Sequence, residues 1–204
     1  LRRLSDCPSP LPRQRHMCVR DSALAARNAS ILELDLHYNE ITSVGVRALV
    51  DDNTKAVKTL TKLCLTRNPI RNEGATILAD VLGRNAMPSL KQLDLGDCDI
   101  EDDGFVALVS ALEQNTSLQI LNLKHNHFAE RGFKALAESL PDIKGLQQIN
   151  ITANMGLGLT TLSLLMEGFR KNTSLVQVNI DIGDSEPGEW SPELKLLGQR
   201  NRFT

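Results

Sequence analysis

Apolar residues return along the chain in one frame, six times over. The units open at Ile31, Leu60, Leu90, Leu118, Leu146 and Leu175, at spacings of 29, 30, 28, 28 and 29 residues. Each follows the pattern L-x-x-L-x-L-x-x-N/C. The ninth position is Asn39, Asn68, Cys98, Asn126 and Asn154 in the first five units and Gly183 in the sixth. Alternating apolar and polar residues in the first half of a unit predict a short strand. An apolar residue follows two places after the Asn or Cys (Ile41, Ile70, Ile100, Phe128), and a glycine four places later (Gly45, Gly74, Gly104, Gly132). Leucines four apart then predict a helix, as in Leu78 and Leu82, Leu108 and Leu112, or Leu136 and Leu140. One strand–helix unit has too little partner surface to bury its apolar face, whereas stacked units share a continuous core.

The frame breaks in two places. In the fifth unit Gly156 stands where an apolar residue is expected and Thr160 where a glycine is, which predicts a kink or bulge over Met155-Gly-Leu-Gly-Leu159. The sixth unit stops after its strand. A helix is predicted from near Ser191, with Pro192 at its first position, through Leu197. Met17 to Ala29 and this last helix are expected to cap the open ends of the stack. The predicted organisation is a basic Pro/Arg-rich arm over 1–16, a solenoid over 17–183 and a loop with a capping helix over 184–204.

The frame and its period resemble the leucine-rich repeat family, of the long-repeat ribonuclease-inhibitor type, over roughly residues 30–183. The junctions Asn115-Thr-Ser-Leu118 and Asn172-Thr-Ser-Leu175 are similar to those of tropomodulin-type leucine-rich repeats. The closing stretch Glu193 to Phe203 resembles the terminal segment of uncharacterised diatom leucine-rich-repeat proteins. The resemblance implies an α/β solenoid shaped as a curved horseshoe segment, with a parallel sheet on the concave face and helices on the convex face. It also implies partner binding, usually through the concave face.

Composition agrees with a core of repeated aliphatic units. Leucine accounts for 33 of 204 residues, and Phe, Trp and Tyr together for seven. A hydrophobic content of 41% with 24% charged residues excludes wholesale disorder. A net charge of −2 argues against a general nucleic-acid binder. The charge is uneven: residues 1–20 hold five arginines against Asp6, a balance of +4, so the remainder carries −6. That arginine-rich segment has three prolines and no apolar core, so it is not a secretory signal; it reads as a solvated arm, with an organelle transit remnant as the alternative. A start at Leu1 is what a piece of a longer protein would show. The longest apolar stretch, near Met155 to Met166, is too short and interrupted to insert in a membrane.

Strand side chains alternate, so the third, fifth and seventh positions of the frame point away from the core. These rows, with the position that follows, supply the expected partner-binding residues. They are Glu33, Asp35, His37 and Tyr38 in the first unit, Lys62, Thr66 and Arg67 in the second, and Asp94 and Asp97 in the third. Lys124 and His125 follow in the fourth, Asn150 in the fifth, and Asn179 and Asp181 in the sixth. The face is polar and nearly free of rings, with Tyr38 and Arg67 as its anchor types. The expected function is recognition or scaffolding of another protein, without catalysis. The alternatives are regulation of a GTPase, as in GTPase-activating proteins that share this repeat class, and a structural subunit of a large assembly.

No cofactor, metal or catalytic set is expected. The carboxylates of Asp94, Asp97, Asp99, Glu101, Asp102 and Asp103 have oxygen donors suited to Ca²⁺ but lack the calcium-loop pattern, and acids before a helix favour its dipole. Cys98 fits a buried turn, Cys64 falls on the sheet face, and Cys7 and Cys18 with His16 match no zinc spacing. A reducing, intracellular and cytoplasmic location fits such thiols. The sequons at Asn28, Asn115, Asn150 and Asn172 read as features of the repeat. Nucleophile-elbow, phosphate-loop and zinc-protease motifs are absent from the sequence.

Overall fold

The computed structural model describes residues 31–50 and 58–180. Strands β1 (Glu33–Asp35), β2 (Lys62–Cys64), β3 (Gln92–Asp94), β4 (Ile120–Asn122), β5 (Gln148–Asn150) and β6 (Gln177–Asn179) pair in chain order as one parallel sheet. Between them run helices α1 (Ser43–Leu49), α2 (Arg71–Gly83), α3 (Asp102–Gln114), α4 (Glu130–Ser139) and α5 (Leu159–Lys171). The register has no slip, so Glu33, Lys62, Gln92, Ile120, Gln148 and Gln177 form one row across the sheet. Parallel strands lie about 4.8 Å apart and packed helices about 8–10 Å, so the stack bends toward its strand side. The sheet face is thereby the concave one.

The middle residue of each strand points into the core: Leu34, Leu63, Leu93, Leu121 and Ile149 are buried, and Val178 in the last strand is partly buried against them. The first and third residues are left toward solvent. The helices return their leucines to the same core, at Leu78, Leu82, Leu108, Leu112, Leu136 and Leu140. The core is mostly aliphatic; its rings are Phe169 in the fifth repeat and a group in the third and fourth, where Phe105, Phe128 and Phe133 pack together. The Phe105 and Phe128 rings stack at 4.0 Å between centroids, and Phe133 meets Phe128 edge-on at 5.3 Å.

The recurring glycine is confined by its own repeat at Gly45 and Gly74, where a Cβ would meet Ile41 or Ile70, and by the preceding repeat at Gly104 and Gly132. Among the described residues, none of the five helix N-termini is capped by its own N-cap side chain. For α3 and α4 the cap comes from the preceding repeat instead. Asn72 Oδ1 accepts from the amides of Glu101 and Gly104, and Asp102 Oδ1 from those of Ala129 and Gly132. These bonds satisfy amides that a helix start leaves open. A Cβ on Gly104 or Gly132 would stand 2.8 Å from the capping oxygen, which is why the position stays glycine.

In the fifth repeat the loop holds one more residue. Leu157 packs on the core and Thr161 is buried, so both roles fall one place later than the frame expects at Gly156 and Thr160. The Thr161 hydroxyl donates to Glu130 Oε1 at 2.9 Å, occupying the place of the missing glycine.

Asn115 and Asn172 stitch consecutive repeats. Their side-chain amides donate to carbonyls of the preceding unit, Leu82 in one case, Leu140 and Ile143 in the other. Their oxygens accept from the amides of Leu118 and Leu175. Both are buried, so these two sequons are structural in the folded chain. The expected amino-terminal cap, Asp181 and the carboxy-terminal stretch with its helix lie outside the described residues.

Candidate functional site

The concave rows divide into side chains the fold already uses and side chains it leaves available. The fifth position of the frame caps the backbone two residues on. Asp35, Asp94, Asn122 and Asn150 accept from the amides of His37, Gly96, Lys124 and Thr152, at 3.1 to 3.2 Å. Asp94 also accepts from the Thr66 hydroxyl at 2.6 Å and from Asn122 Nδ2 at 2.9 Å, joining three repeats. The Thr152 hydroxyl donates to Asn150. Of the expected binding residues, Asp35, Thr66, Asp94 and Asn150 therefore have structural tasks on the sheet.

Glu33, His37, Lys124, His125 and Asn179 are exposed, and Lys62 is half-buried beside Glu33 in the register. Asp35 lies 2.9 Å from His37 Nδ1. Partial burial of Asp35 raises its pKa. The hydrogen bonds from His37 outweigh that, and the carboxyl is held below its ordinary 3.8. Cys64 is half-buried between Asp35 and Asp94. Burial and those two carboxylates raise its thiol above the usual range, against the Thr66 hydrogen bonds. Cys98 is buried outright, and desolvation pushes its thiol up to about 12.

The position after the strand rows runs along the edge where strands give way to loops. Tyr38, Arg67, Asp97 and His125 all have left-handed backbone, with φ of 55, 58, 55 and 54°. Each donates its amide to the next repeat: Tyr38 to Thr66 O, Arg67 to Gly96 O, Asp97 to Lys124 O and His125 to Thr152 O, at 2.8 to 3.0 Å. That conformation is costly for residues with a Cβ, and the amide ladder holds it in place. It projects the side chains outward as a rim. The Arg67 guanidinium sits 5.9 Å from the centre of the Tyr38 ring and its Nε lies 3.3 Å from Asp97 Oδ2. Tyr38 is 68% exposed.

Beside this trio lies an open depression lined by Tyr38, Arg67, Asn68, Pro69, Asp97 and Asp99. Its position follows from the turn below. In two other turns an asparagine closes the loop with both ends of its amide. Asn68 Nδ2 donates to Leu36 O and Leu65 O while Oδ1 accepts from the amides of Asn39 and Ile41. Asn126 does the same for the third repeat. Cys98 keeps the donor half, with Sγ toward Leu65 O and Gly96 O, and has no oxygen for the acceptor half. The Ile70 amide turns instead to Asn68 O at 2.7 Å, and Pro69 has no amide to offer.

Sequence reasoning found the rim at Tyr38, Arg67, Asp97 and His125 and did not assign Pro69 or Asp99 to it. The signal was present, since a cysteine in an asparagine ladder and a proline after Asn68 both mark a loop closed differently. The carboxylates from Asp94 to Asp103 do not converge. Asp99 lies 3.5 Å from His127 Nε2, Glu101 accepts from Asn72, and Asp103 pairs with Arg131. Among the described residues no three metal-ligating side chains gather, and no helix is long and apolar enough to cross a membrane.

Residues 27–50, 58–79, 86–109 and 114–137 match the family described as Leucine Rich repeat. The chain is 28% identical over 159 residues to the human NACHT, LRR and PYD domains-containing protein 13, covering 78% of this chain and 15% of that protein. It is 41% identical over 140 residues to the human NACHT, LRR and PYD domains-containing protein 2, covering 68% and 12%. Against the ribonuclease inhibitor of Sus scrofa it is 30% identical over 131 residues, covering 62% and 28%. The chain thus spans less than a third of the length of each of these relatives. Among solved structures, leiomodin-1 actin-binding site 2 superposes with a TM-score of 0.60 at 16% identity, covering 96% of this chain and 92% of that one. The tropomodulin C-terminal domain of Caenorhabditis elegans gives 0.54 at 15%, covering 93% of each. At such identities the likeness concerns the fold alone.

Proposed function

Taking the chain as a leucine-rich-repeat protein, we propose that it is a recognition module, without catalysis, that binds another protein through its concave sheet and the rim where strands meet loops. The observation that carries this is the rim itself. Tyr38, Arg67 and Asp97 are exposed side chains on left-handed backbone, held by a ladder of amides. Tyrosine and arginine are the residue types that most often dominate binding energy at interfaces. Because the backbone is preset, little ordering entropy opposes association. Glu33, Lys62, Lys124, His125 and Asn179 extend the same surface; Asp35, Asp94 and Asn150 shape it from within.

Affinity capture with cross-linking tests this reading, using three proteins. The unmodified chain is compared with the rim variant Tyr38→Ala/Arg67→Ala/Asp97→Ala and with Lys134→Ala/Glu138→Ala on the exposed side of α4. A partner held by the unmodified chain and the α4 variant and lost by the rim variant supports the reading. Retention by the rim variant with loss by the α4 variant would move the interface to the helices and end the proposal.

A further inference from the structure

We propose that the depression beside Tyr38 is an anchor pocket for a cationic side chain, arginine or lysine, presented by the partner protein. This deepens the recognition reading above and rests on it. The pocket contains its own demonstration. Arg67 is held there by a ring face at 5.9 Å and a carboxylate oxygen at 3.3 Å, the two contacts a guanidinium or ammonium group seeks.

The occupant's charge follows from what remains. Two carboxylates, Asp97 and Asp99, line the depression against the single guanidinium of Arg67. Among the described residues Asp97 is reached by Arg67 and Asp99 by His127, with no further side-chain donor on either. Around them, the stretch from Asp97 to Asp103 holds five carboxylates and no basic residue. An anion entering here meets net negative charge. An apolar group meets only the Tyr38 ring and Pro69. A cation meets two carboxylates, of which Arg67 balances only one, beside the exposed Tyr38 ring.

The pocket exists because of two residues that depart from the repeat. Cys98 lacks the acceptor that draws the neighbouring loop closed, and Pro69 has no amide for the bridge that His127 makes to Ile100 O and Met155 to Phe128 O. Asp99 takes left-handed backbone at φ 55°, as Asp97 does. Asparagine tolerates that conformation at least as well as aspartate, so Asp→Asn variants at these positions remove charge and leave the loop in place.

Tyr38 is the chain's one tyrosine, so its ring resonances report on this pocket alone. The experiment is a nuclear magnetic resonance titration of the whole chain with acetyl-Gly-Arg-Gly-amide, its lysine counterpart and its citrulline counterpart, which keeps arginine's shape without the charge. The arginine and lysine peptides are expected to shift the Tyr38 ring signals saturably, with millimolar affinity, more weakly as salt rises. The citrulline peptide should leave the signals in place. Asp99→Asn and Asp97→Asn should each weaken the arginine peptide about 2- to 5-fold, and Glu138→Gln should change nothing. An equal response to citrulline, no response to arginine, or an Asp99→Asn protein that binds undiminished would overturn the proposal. So would tighter peptide binding once Arg2, Arg3, Arg13, Arg15 and Arg20 are replaced by glutamine, since the occupant would then be the chain's own amino-terminal segment. If the peptide fails while the rim variant still loses its partner in capture, recognition through the rim stands and only the cationic anchor falls.

Discussion

The turns governed by Asn68 and Asn126 occupy the same place in the repeat as those governed by Cys98 and Asn154, yet they are bonded differently. Each of the first pair uses both ends of its amide, accepting two backbone amides from the preceding loop and donating to carbonyls on either side. Cys98 and Asn154 keep only the donor half, in one case because sulfur replaces oxygen. In the other, the buried Oδ1 of Asn154 has no hydrogen-bond partner among the described residues. The complete turns leave the surface regular. The incomplete ones coincide with the depression at Tyr38 and with the lengthened fifth loop. Where the repeat relaxes its own bonding rule, the surface acquires individual shape.

Mutating the two kinds of turn tests this contrast most sharply. Asn126→Ala removes both halves of a buried network, so urea unfolding should show a loss of roughly 3 kcal/mol or more. Cys98→Ala should cost about 1–2 kcal/mol, mainly the packing of one buried sulfur. Equal costs would mean that the acceptor half contributes nothing and the contrast is false.

Two glycines extend the comparison to backbone packing. A Cβ on Gly145 would stand 2.8 Å from the Thr116 backbone, whereas one on Gly156 meets nothing within 4 Å. Gly145→Ala should lower the melting temperature, by about 2 kcal/mol of stability, because backbone has to move. Gly156→Ala in the relaxed fifth loop should be neutral or raise stability by about 0.5 kcal/mol through the unfolded chain.

The surface pair Asp35–His37 should matter least to stability. Its carboxyl is depressed in the folded state, so its contribution is present above the unfolded value near 3.8 and is lost as pH falls through the lower folded one. Asp35→Asn should flatten the stability–pH curve in that acid window by less than about 1 kcal/mol, since both side chains are over half exposed. Acid titrations of the two proteins that superpose would remove the effect. Thiol labelling gives a check with no stability change. With its thiol pushed up to about 12 and fully buried, Cys98 should resist iodoacetamide at pH 8, while half-buried Cys64 reacts before it. The order of labelling is read by peptide mass.

Much of the fold was legible because apolar periodicity is a local property. Leu34, Leu63 and Leu93 could be assigned to the core, and Glu33, Lys62 and Gln92 to the open face, from strand alternation alone. The helix glycines were legible as a pattern and unreadable as a cause, because Gly104 is confined by an Asn72 side chain about thirty residues earlier. The rim was half legible. Its residues follow from position, but the pairing of Arg67 with both Tyr38 and Asp97 needs three repeats in contact. Asp94 is the counterexample: expected as a binding group, it is drawn into bonds with Thr66 and Asn122 on either side.

By itself the sequence determined the unit, its count and the direction in which each strand residue points, since burial of a periodic apolar stripe requires no knowledge of distant neighbours. The tertiary structure alone decided which polar groups are spent and which remain. A hydrogen bond between repeats depends on stacking two units about thirty residues apart at a fixed register. Only that stacking turns Cys98 into a missing acceptor, Asp102 into a helix cap, and Tyr38, Arg67, Asp97 and Asp99 into the lining of one depression.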